Sequence, residues 1–175
     1  QFPEIYDIVS TLSTTLGLKK TPAVYILQDS GILNAFATRF FGRDFVVIYS
    51  EILELAYENG KKSLEFIIAH ELGHIKRKHS TKKILLFPSF IIPFLNSAYS
   101  RACEYTCDRI GHSLCPEGAV DGMLILSAGK KLYFKVNVNE FICTSKKERG
   151  FWTWFSEIAS THPNTPKRID EILKK

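Results

Sequence analysis

Apolar side chains recur at helical intervals along most of the chain. Residues 3–17 place Ile5, Ile8 and Leu12 on one face before Gly17 ends the pattern. Similar patterns bounded by Ser, Gly or Pro recur later. The sequence therefore predicts a mostly helical chain, with further helices at residues 50–60, 62–79, 97–114, 117–132, 151–159 and 164–175.

Two short runs rich in β-branched and aromatic residues interrupt the helical pattern early. They are "AVYIL" at residues 23–27 and "FVVIY" at residues 45–49. Gly31 and Gly42 punctuate the connection between them, which we expect to carry a third short strand. We therefore predict an α+β fold that is mostly helical, with a small antiparallel sheet near the N-terminus.

The length and composition fit one compact domain over residues 1–175. The chain has a mass of 19.9 kDa, is 45% hydrophobic and 23% charged, and is globular in composition. Its longest apolar run, "ILLFPSFIIPFL" at residues 84–95, contains two prolines and is shorter than a membrane-spanning helix. We expect the chain as given to be soluble. Because it begins with Gln1 rather than methionine, trimming from a longer, membrane-associated protein stays open.

The charge balance is mildly basic, with a net charge of +5 and a pI near 9.0. Much of this charge lies in the run "KRKHSTKK" at residues 76–83, which either nucleic acid or a solvated helix end would explain. No aromatic-basic motif of a nucleic-acid module occurs in the sequence, so nucleic acid is not an expected partner. Residues 141–150, "FICTSKKERG", combine charge and glycine without a clear period and predict a mobile flap.

The stretch "FIIAHELGHIKRKHS" at residues 66–80 carries two histidines four residues apart. On a helix, His70 and His74 share a face and can both reach one metal ion about 2 Å away. Glu71 is turned by about 100° from His70, which is the placement of a general base that takes a proton from metal-bound water. The alternative is an exposed face with two unrelated histidines, but both lie among apolar residues. The motif predicts a zinc peptidase centre.

A catalytic zinc site needs a third protein ligand. One subclass uses H-E-x-x-H-x-x-G-x-x-H, but Arg77 stands at the glycine position here and Ser80 at the third histidine. That subclass is therefore excluded.

A second helix offers the other common solution, a glutamate ligand. The segment "SRACEYTCDRIG" places Glu104 and Asp108 one turn apart, so Glu104 is expected to bind the metal and Asp108 to orient a ligating histidine. His79, five residues beyond His74, is expected to point away from the site. Three other candidates for the third ligand stay open: His112, Cys103 and Cys107.

Five motifs follow one another in a known order. They are "NAFA" (34–37), "FVVIYSEIL" (45–53), "AHELGHIKRKH" (69–79), "EYTCD" (104–108) and "THPNTPKRI" (161–169). From about residue 20 onward, the chain resembles the zinc metallopeptidases that include the heat-shock protease HtpX and the CAAX prenyl endopeptidases. The resemblance implies a gluzincin-type metallopeptidase domain with one zinc ion per chain, held by His70, His74 and Glu104, with Glu71 as general base and Asp108 in support.

The same resemblance implies roles for four outer residues. His162 and Arg168 are expected to act in catalysis by contacting the substrate or its oxyanion, which a cationic or hydrogen-bonding group stabilises. Asn34 and Ala35 are expected at the edge of the substrate cleft, where Asn34 can bond an extended peptide. The alternatives stay open: a helix-cap region for His162, a surface salt bridge for Arg168 and a turn residue for Asn34.

The resemblance also bears on the whole function. It implies a zinc-dependent endopeptidase acting on polypeptides; the alternative is a catalytically silent zinc-binding or partner-binding module. Many relatives place membrane spans between the two ligand helices, but here that interval is 104 − 74 = 30 residues, too short to leave the membrane and return. Residues 82–95 and 151–155 are therefore expected either in the core or on a membrane surface, with the domain on the cytosolic side. The sequence does not indicate an oligomeric state.

Overall fold

The structure is a computed structural model that describes residues 2–28, 34–40, 42–59, 61–79, 81–82, 92–129, 131–148 and 150–174. Its described elements are mostly helical. Three strands, β1 (Ala23–Leu27), β2 (Ala35–Phe40) and β3 (Arg43–Tyr49), precede most of the helices. The helices are α1 (Pro3–Thr15), α2 (Ser50–Asn59), α3 (Lys62–Arg77), α4 (Leu95–Leu114), α5 (Ala119–Ala128), α6 (Val138–Lys147), α7 (Phe151–Ala159) and α8 (Thr165–Leu173), with short 3₁₀ turns at Pro116–Gly118 and Tyr133–Lys135.

The three strands form one small sheet in the order β1-β3-β2. This confirms the mostly helical α+β class with a small sheet near the N-terminus. The sheet itself is mixed rather than antiparallel throughout, because β1 runs parallel to β3 while β2 runs antiparallel to it. A tight connection with Gly42 at a φ of 77° explains the β2–β3 hairpin. β1 pairs with β3 instead of with β2, its neighbour in sequence, so no hairpin dictates its direction.

Helix α3 lies at the centre of the core. One of its faces buries Leu64, Ile67, Ile68 and Leu72, each at most 2% exposed, as its period requires. It packs against α1, α2, α4, α5 and the sheet. Buried residues from these other elements, and from α8, complete the same cluster: Val9, Val46, Ile48, Met123, Ile169 and Ile172.

Helices α3 and α4 approach closely at Gly73. A Cβ atom on Gly73 would lie 3.2 Å from Sγ of Cys107, which is tighter than an ordinary van der Waals contact. The missing side chain therefore lets the two helices lie side by side, with the histidines of α3 facing the acidic residues of α4.

One local expectation is wrong. Residues 141–150 were expected to form a mobile flap, but α6 spans Val138–Lys147 and buries Ile142. The side chain of Asn137 accepts a hydrogen bond from the backbone N–H of Glu140 at 3.2 Å, which caps the helix. Asn137 followed three residues later by Glu140 is a helix-start signal that the sequence contains.

Residues 83–91, most of the apolar run that might lie on a membrane, fall outside the described residues. Across the part of the chain that the structure describes, no helix combines the length and apolar character needed to cross a bilayer.

Candidate active site

Two helices bring three side chains that could bind a metal to one point. The Nε2 atoms of His70 and His74 lie 3.2 Å apart, one turn from each other on α3. From α4, the carboxylate of Glu104 places Oε2 3.6 Å from Nε2 of His70 and Oε1 3.4 Å from Nε2 of His74. His70 and Glu104 are both buried.

These donor atoms fit a single metal ion. All three lie within 4.8 Å of one another. Ligands about 2.0–2.1 Å from a tetrahedral ion are about 3.3 Å apart, close to the spacings found here. Imidazole nitrogens and a carboxylate oxygen are donors that divalent cations such as zinc accept, so the chemistry of the set also fits a cation.

Glu71 is held beside this point by the sheet. Its Oε2 accepts a hydrogen bond of 2.8 Å from the backbone N–H of Ala37 on β2. Burial raises the pKa of Glu71, while His70 and His74 act in the opposite direction. A carboxylate with a raised pKa is a stronger proton acceptor, as a general base requires. The sequence did not indicate that Ala37 makes this contact, because residues 37 and 71 are distant along the chain.

Asp108 lies behind His70. Its Oδ1 is 2.9 Å from Nδ1 of His70. The same carboxylate accepts two hydrogen bonds from Arg168 on α8, 2.7 Å from Nε and 2.6 Å from Nη2. Burial would raise the pKa of Asp108, but Arg168 and His70 hold it below its usual value. Asp108 therefore stays ionised, and its charge favours a proton on Nδ1 of His70 and a free Nε2.

Arg168 and His162 approach Glu104 from the other side. Nη1 of Arg168 is 3.2 Å from Oε2 of Glu104, and Nδ1 of His162 is 3.4 Å from the same oxygen. The guanidinium is 12% exposed and engages two carboxylates, which is the arrangement of a supporting group. His162 is 71% exposed in its side chain and is therefore accessible from solvent. Contact with Glu104 raises the pKa of His162.

The strand β2 forms one rim of the site. Asn34 precedes it, and Ala35 is its first residue. The side-chain Oδ1 of Asn34 accepts from the N–H of Ala35 at 2.9 Å, while the carbonyl of Asn34 accepts from Tyr49 on β3 at 3.1 Å. Since β2 pairs with β3 on one side, its other edge faces α3 and Glu71.

These groups line one cleft of about 530 Å³. Eight of the nine sequence-predicted site residues lie along it, and Asp108 lies behind. The polar part of its lining, here called the polar wall, consists of His70, Glu71, His74, Glu104 and Arg168. The apolar part, here called the apolar wall, consists of Phe66, Ile67, Met123 and Leu126.

The expectation for His79 is wrong. Instead of pointing away, its Nδ1 lies 3.2 Å from Nδ1 of His74, and its ring contacts that of His74 edge-on. The Sγ atom of Cys107 lies 3.6 Å from Nδ1 of His79. His112 and Cys103, the other open candidates, are not among the described residues that line the cleft.

Comparisons with known proteins agree with the geometry. The model of peptidase family M48 matches residues 1–92 and 83–175. The plastoglobule-localized metallopeptidase 48, chloroplastic, of Arabidopsis thaliana is 24% identical, over 98% of this chain and 56% of its own length. A protease HtpX homolog of Tropheryma whipplei (strain Twist) is 41% identical, over 42% of this chain and 24% of its own length.

A protease HtpX homolog of Pyrobaculum islandicum is 25% identical, over 95% of this chain and 66% of its own length. The chain thus spans 56% of the length of the Arabidopsis relative, 66% of the Pyrobaculum relative and 24% of the Tropheryma relative. The resemblance to HtpX-type metallopeptidases is confirmed. Because the two matched segments together cover the full sequence, the chain belongs to peptidase family M48.

Proposed function

We propose that this chain is a zinc-dependent endopeptidase that hydrolyses polypeptides in the cleft between the polar and apolar walls. One observation carries the proposal: two imidazole nitrogens and a carboxylate converge beside Glu71 in a cleft open to solvent. A catalytically silent module has no need of a positioned base. The tether from Ala37 to Glu71 therefore favours an enzyme over that alternative.

Zinc is the metal that the ligand set suits best. Two histidines and one glutamate, with a position left for water, form a common catalytic zinc site. We assign His70, His74 and Glu104 as the ligands, one ion per chain. When bound, the metal activates water and polarises the scissile carbonyl.

Glu71 then serves as the proton carrier. Its carboxylate takes a proton from the attacking water and passes it to the leaving amine. The N–H of Ala37 holds Oε2 and fixes the orientation of the carboxylate throughout. Because burial raises the pKa of Glu71, accepting the proton is less unfavourable than for an exposed glutamate.

The two outer residues take different roles in this proposal. His162 is exposed, and its contact with Glu104 raises its pKa and so favours the protonated ring, which could donate a hydrogen bond to the developing oxyanion. The guanidinium of Arg168 contacts the carboxylates of Asp108 and Glu104. We therefore propose that Arg168 orients those carboxylates rather than contacting the substrate.

The substrate is proposed to lie extended along β2. The edge of this strand that does not pair with β3, with Asn34 and Ala35 at its start, could lie against a peptide backbone. Leu126, which also lines the cleft, is 38% exposed and belongs to the apolar wall. A peptide with a large apolar side chain next to the scissile bond would bury that side chain there.

The deciding experiment uses the full chain and an unfolded casein-like substrate. We expect hydrolysis by protein purified without added metal, loss of hydrolysis with a chelator, and recovery with one equivalent of zinc. Metal content is measured on the same samples. Protein that binds zinc and remains folded, yet leaves the substrate intact, would support the silent alternative instead.

We also propose that one end of the domain rests on an anionic membrane surface. Trp152 on α7 is 77% exposed, and Phe155 of the same helix contacts Phe94 at a centroid distance of 5.9 Å. His79, which follows the basic end of α3, contacts Tyr99 of α4 at a ring-centroid distance of 6.4 Å. Exposed tryptophan and clustered basic residues are each typical of interfacial binding.

Vesicle co-sedimentation tests this second proposal. Wild-type protein should sediment with phosphatidylserine-containing vesicles and less with neutral ones, and Trp152→Ser should weaken that binding. Phe134→Ser is the matched control, since Phe134 is 67% exposed in a 3₁₀ turn remote in sequence from α7. If the protein sediments with neither kind of vesicle, the membrane proposal is contradicted. A protein partner would then be the reason for the exposed aromatic side chains.

A further inference from the structure

A second cluster of metal-binding side-chain types lies behind His74. It consists of His74, His79 and Cys107, whose donor atoms lie within 4.8 Å of one another. His79 follows the end of α3, and Cys107 faces it from α4. Neither His79 nor Cys107 is among the described residues lining the cleft. The proposed peptidase mechanism does not use them.

We infer that His79 positions His74 for the metal, by accepting a hydrogen bond from Nδ1–H of His74 on its own Nδ1. The inference rests on the proposed function, because it takes Nε2 of His74 as a metal ligand. In this role His79 is a positioning residue that touches neither substrate nor metal.

The proton arrangement follows from the distances. Nε2 of His74 faces Nε2 of His70 at 3.2 Å and Glu104 at 3.4 Å, so it is the nitrogen that must be bare to bind an ion. A neutral imidazole then carries its proton on the other nitrogen. Nδ1 of His74 lies 3.2 Å from Nδ1 of His79, which therefore must accept and hold its own proton on Nε2.

Without His79, the ring of His74 would lose the partner that fixes its rotation. Side chains that bond the second nitrogen of a metal-binding histidine hold both its orientation and its tautomer. For His70 this partner is the carboxylate of Asp108, at 2.9 Å. For His74, the described residue in the corresponding place is His79, whose ring is neutral in this arrangement.

The rival reading is a second metal ion bound by His74, His79 and Cys107. Such an ion needs the lone pair of Nδ1 on His74, which carries the proton whenever Nε2 binds the first ion. Both ions could bind only if His74 lost both ring protons. The hydrogen bond needs no such deprotonation, so the geometry favours it.

Zinc affinity, measured by chelator competition on the full chain, tests the inference. His79→Phe keeps a ring but removes the acceptor, and we expect it to weaken zinc binding by about 10-fold or more. His79→Asn places an acceptor oxygen near the position of Nδ1 and should restore most of the affinity. Cys107→Ala and the half-buried control His112→Phe should bind like wild type.

A spectroscopic measurement on the wild-type chain keeps the test independent of folding defects. In the zinc-loaded protein, side-chain ¹⁵N–¹H correlation should show the proton of His74 on Nδ1 and that of His79 on Nε2. A proton on Nδ1 of His79 would overturn the inference. So would unchanged affinity in His79→Phe, or a thiolate charge-transfer band in the cobalt-loaded protein that disappears in Cys107→Ala.

The two proposals fail in different ways. A wild-type chain that binds zinc but cleaves no polypeptide contradicts the proposed function and leaves the affinity comparison of the His79 variants intact. A chain that cleaves polypeptide with the same zinc affinity in wild type and His79→Phe contradicts only the role of His79.

Discussion

The polar and apolar walls line the same cleft but are built differently. In the polar wall, charged groups hold one another: Arg168 engages Asp108 and Glu104, and Glu104 lies between His70 and His74. In the apolar wall, the ring of Phe66 packs between helices α4 and α5, without directional bonds.

This difference between the walls predicts which of them is more sensitive to substitution. A buried charged network leaves uncompensated charge when one member is removed, so single changes in the polar wall should have large effects. An apolar surface loses only contact area or shape, so changes in the apolar wall should have smaller effects that depend on the substrate.

The largest expected effect is on Glu71. Glu71→Gln keeps the size of the side chain and the hydrogen bond from Ala37 but removes the proton acceptor. We expect hydrolysis to fall by about 10²–10⁴-fold with zinc content unchanged. Glu65→Gln is the matched control on the same helix, since Glu65 pairs with exposed Lys62 at 3.8 Å. Full activity of Glu71→Gln would remove the general base from the proposal.

Next comes the carboxylate behind His70. Asp108→Asn leaves the guanidinium of Arg168 with one fewer anionic partner and weakens the hold on His70. We expect zinc affinity to fall by about 10–100-fold, together with a lower melting temperature. Chelator competition and thermal unfolding measure both. Asp121→Asn, on the exposed face of α5, should change neither.

Comparison of Asp108→Asn with His79→Phe tests the two residues that support the histidines of the polar wall from behind. Each variant alters the outer partner of a histidine proposed to bind the metal: Asp108→Asn removes a negative charge, and His79→Phe removes a hydrogen-bond acceptor. Only Asp108 also neutralises a buried cation. Asp108→Asn should therefore lower stability more than His79→Phe. Equal loss of stability would mean that the pairing of Asp108 with Arg168 contributes little.

The third largest effect is expected on stability, from a substitution that disturbs the packing of Phe66 in the apolar wall. A Cβ atom on Gly122 of α5 would lie 2.7 Å from Cδ1 of Phe66. Replacing a helical glycine by alanine ordinarily stabilises a protein, but Gly122→Ala should lower the free energy of unfolding by about 1–3 kcal/mol because the ring must move. Denaturant titration measures it. An increase in stability would show that Phe66 has room to shift.

The smallest effect is expected at the exposed part of the apolar wall. Leu126→Ser removes apolar contact area that a substrate side chain would cover. Since Leu126 is only partly buried, we expect kcat/KM for a peptide with a large apolar residue to fall by about fivefold, about 1 kcal/mol. Peptides with alanine at that position should be affected less. Leu132→Ser, exposed and outside the cleft lining, is the control.

Much of the site could be predicted from the sequence because its spacing is local. His70 and His74 share a face by helical period, as Glu104 and Asp108 do on α4. The order of the five motifs then indicated which segments meet. The roles assigned to these residues stay predictions until the variants are measured.

The structural features that the sequence did not predict share one cause. They depend on contacts between segments that are distant along the chain. The parallel pairing of β1 with β3 and the contact of Ala37 with Glu71 leave no periodic signal in the sequence. His79 appeared to belong to a basic tail, yet the αL turn at Lys78 brings its ring back onto His74. Helix α6 is different, since its Asn137 cap is a local signal that the sequence does contain.

The sequence by itself determined the class of fold, the helix that carries the histidines and the residues proposed to act with them, because helical period and residue type are local properties. Tertiary structure alone decided how each group is oriented: Asp108 behind His70, His79 behind His74, and Ala37 against Glu71. Orientation depends on packing between α3, α4, α8 and the sheet, and that packing is set by the core as a whole.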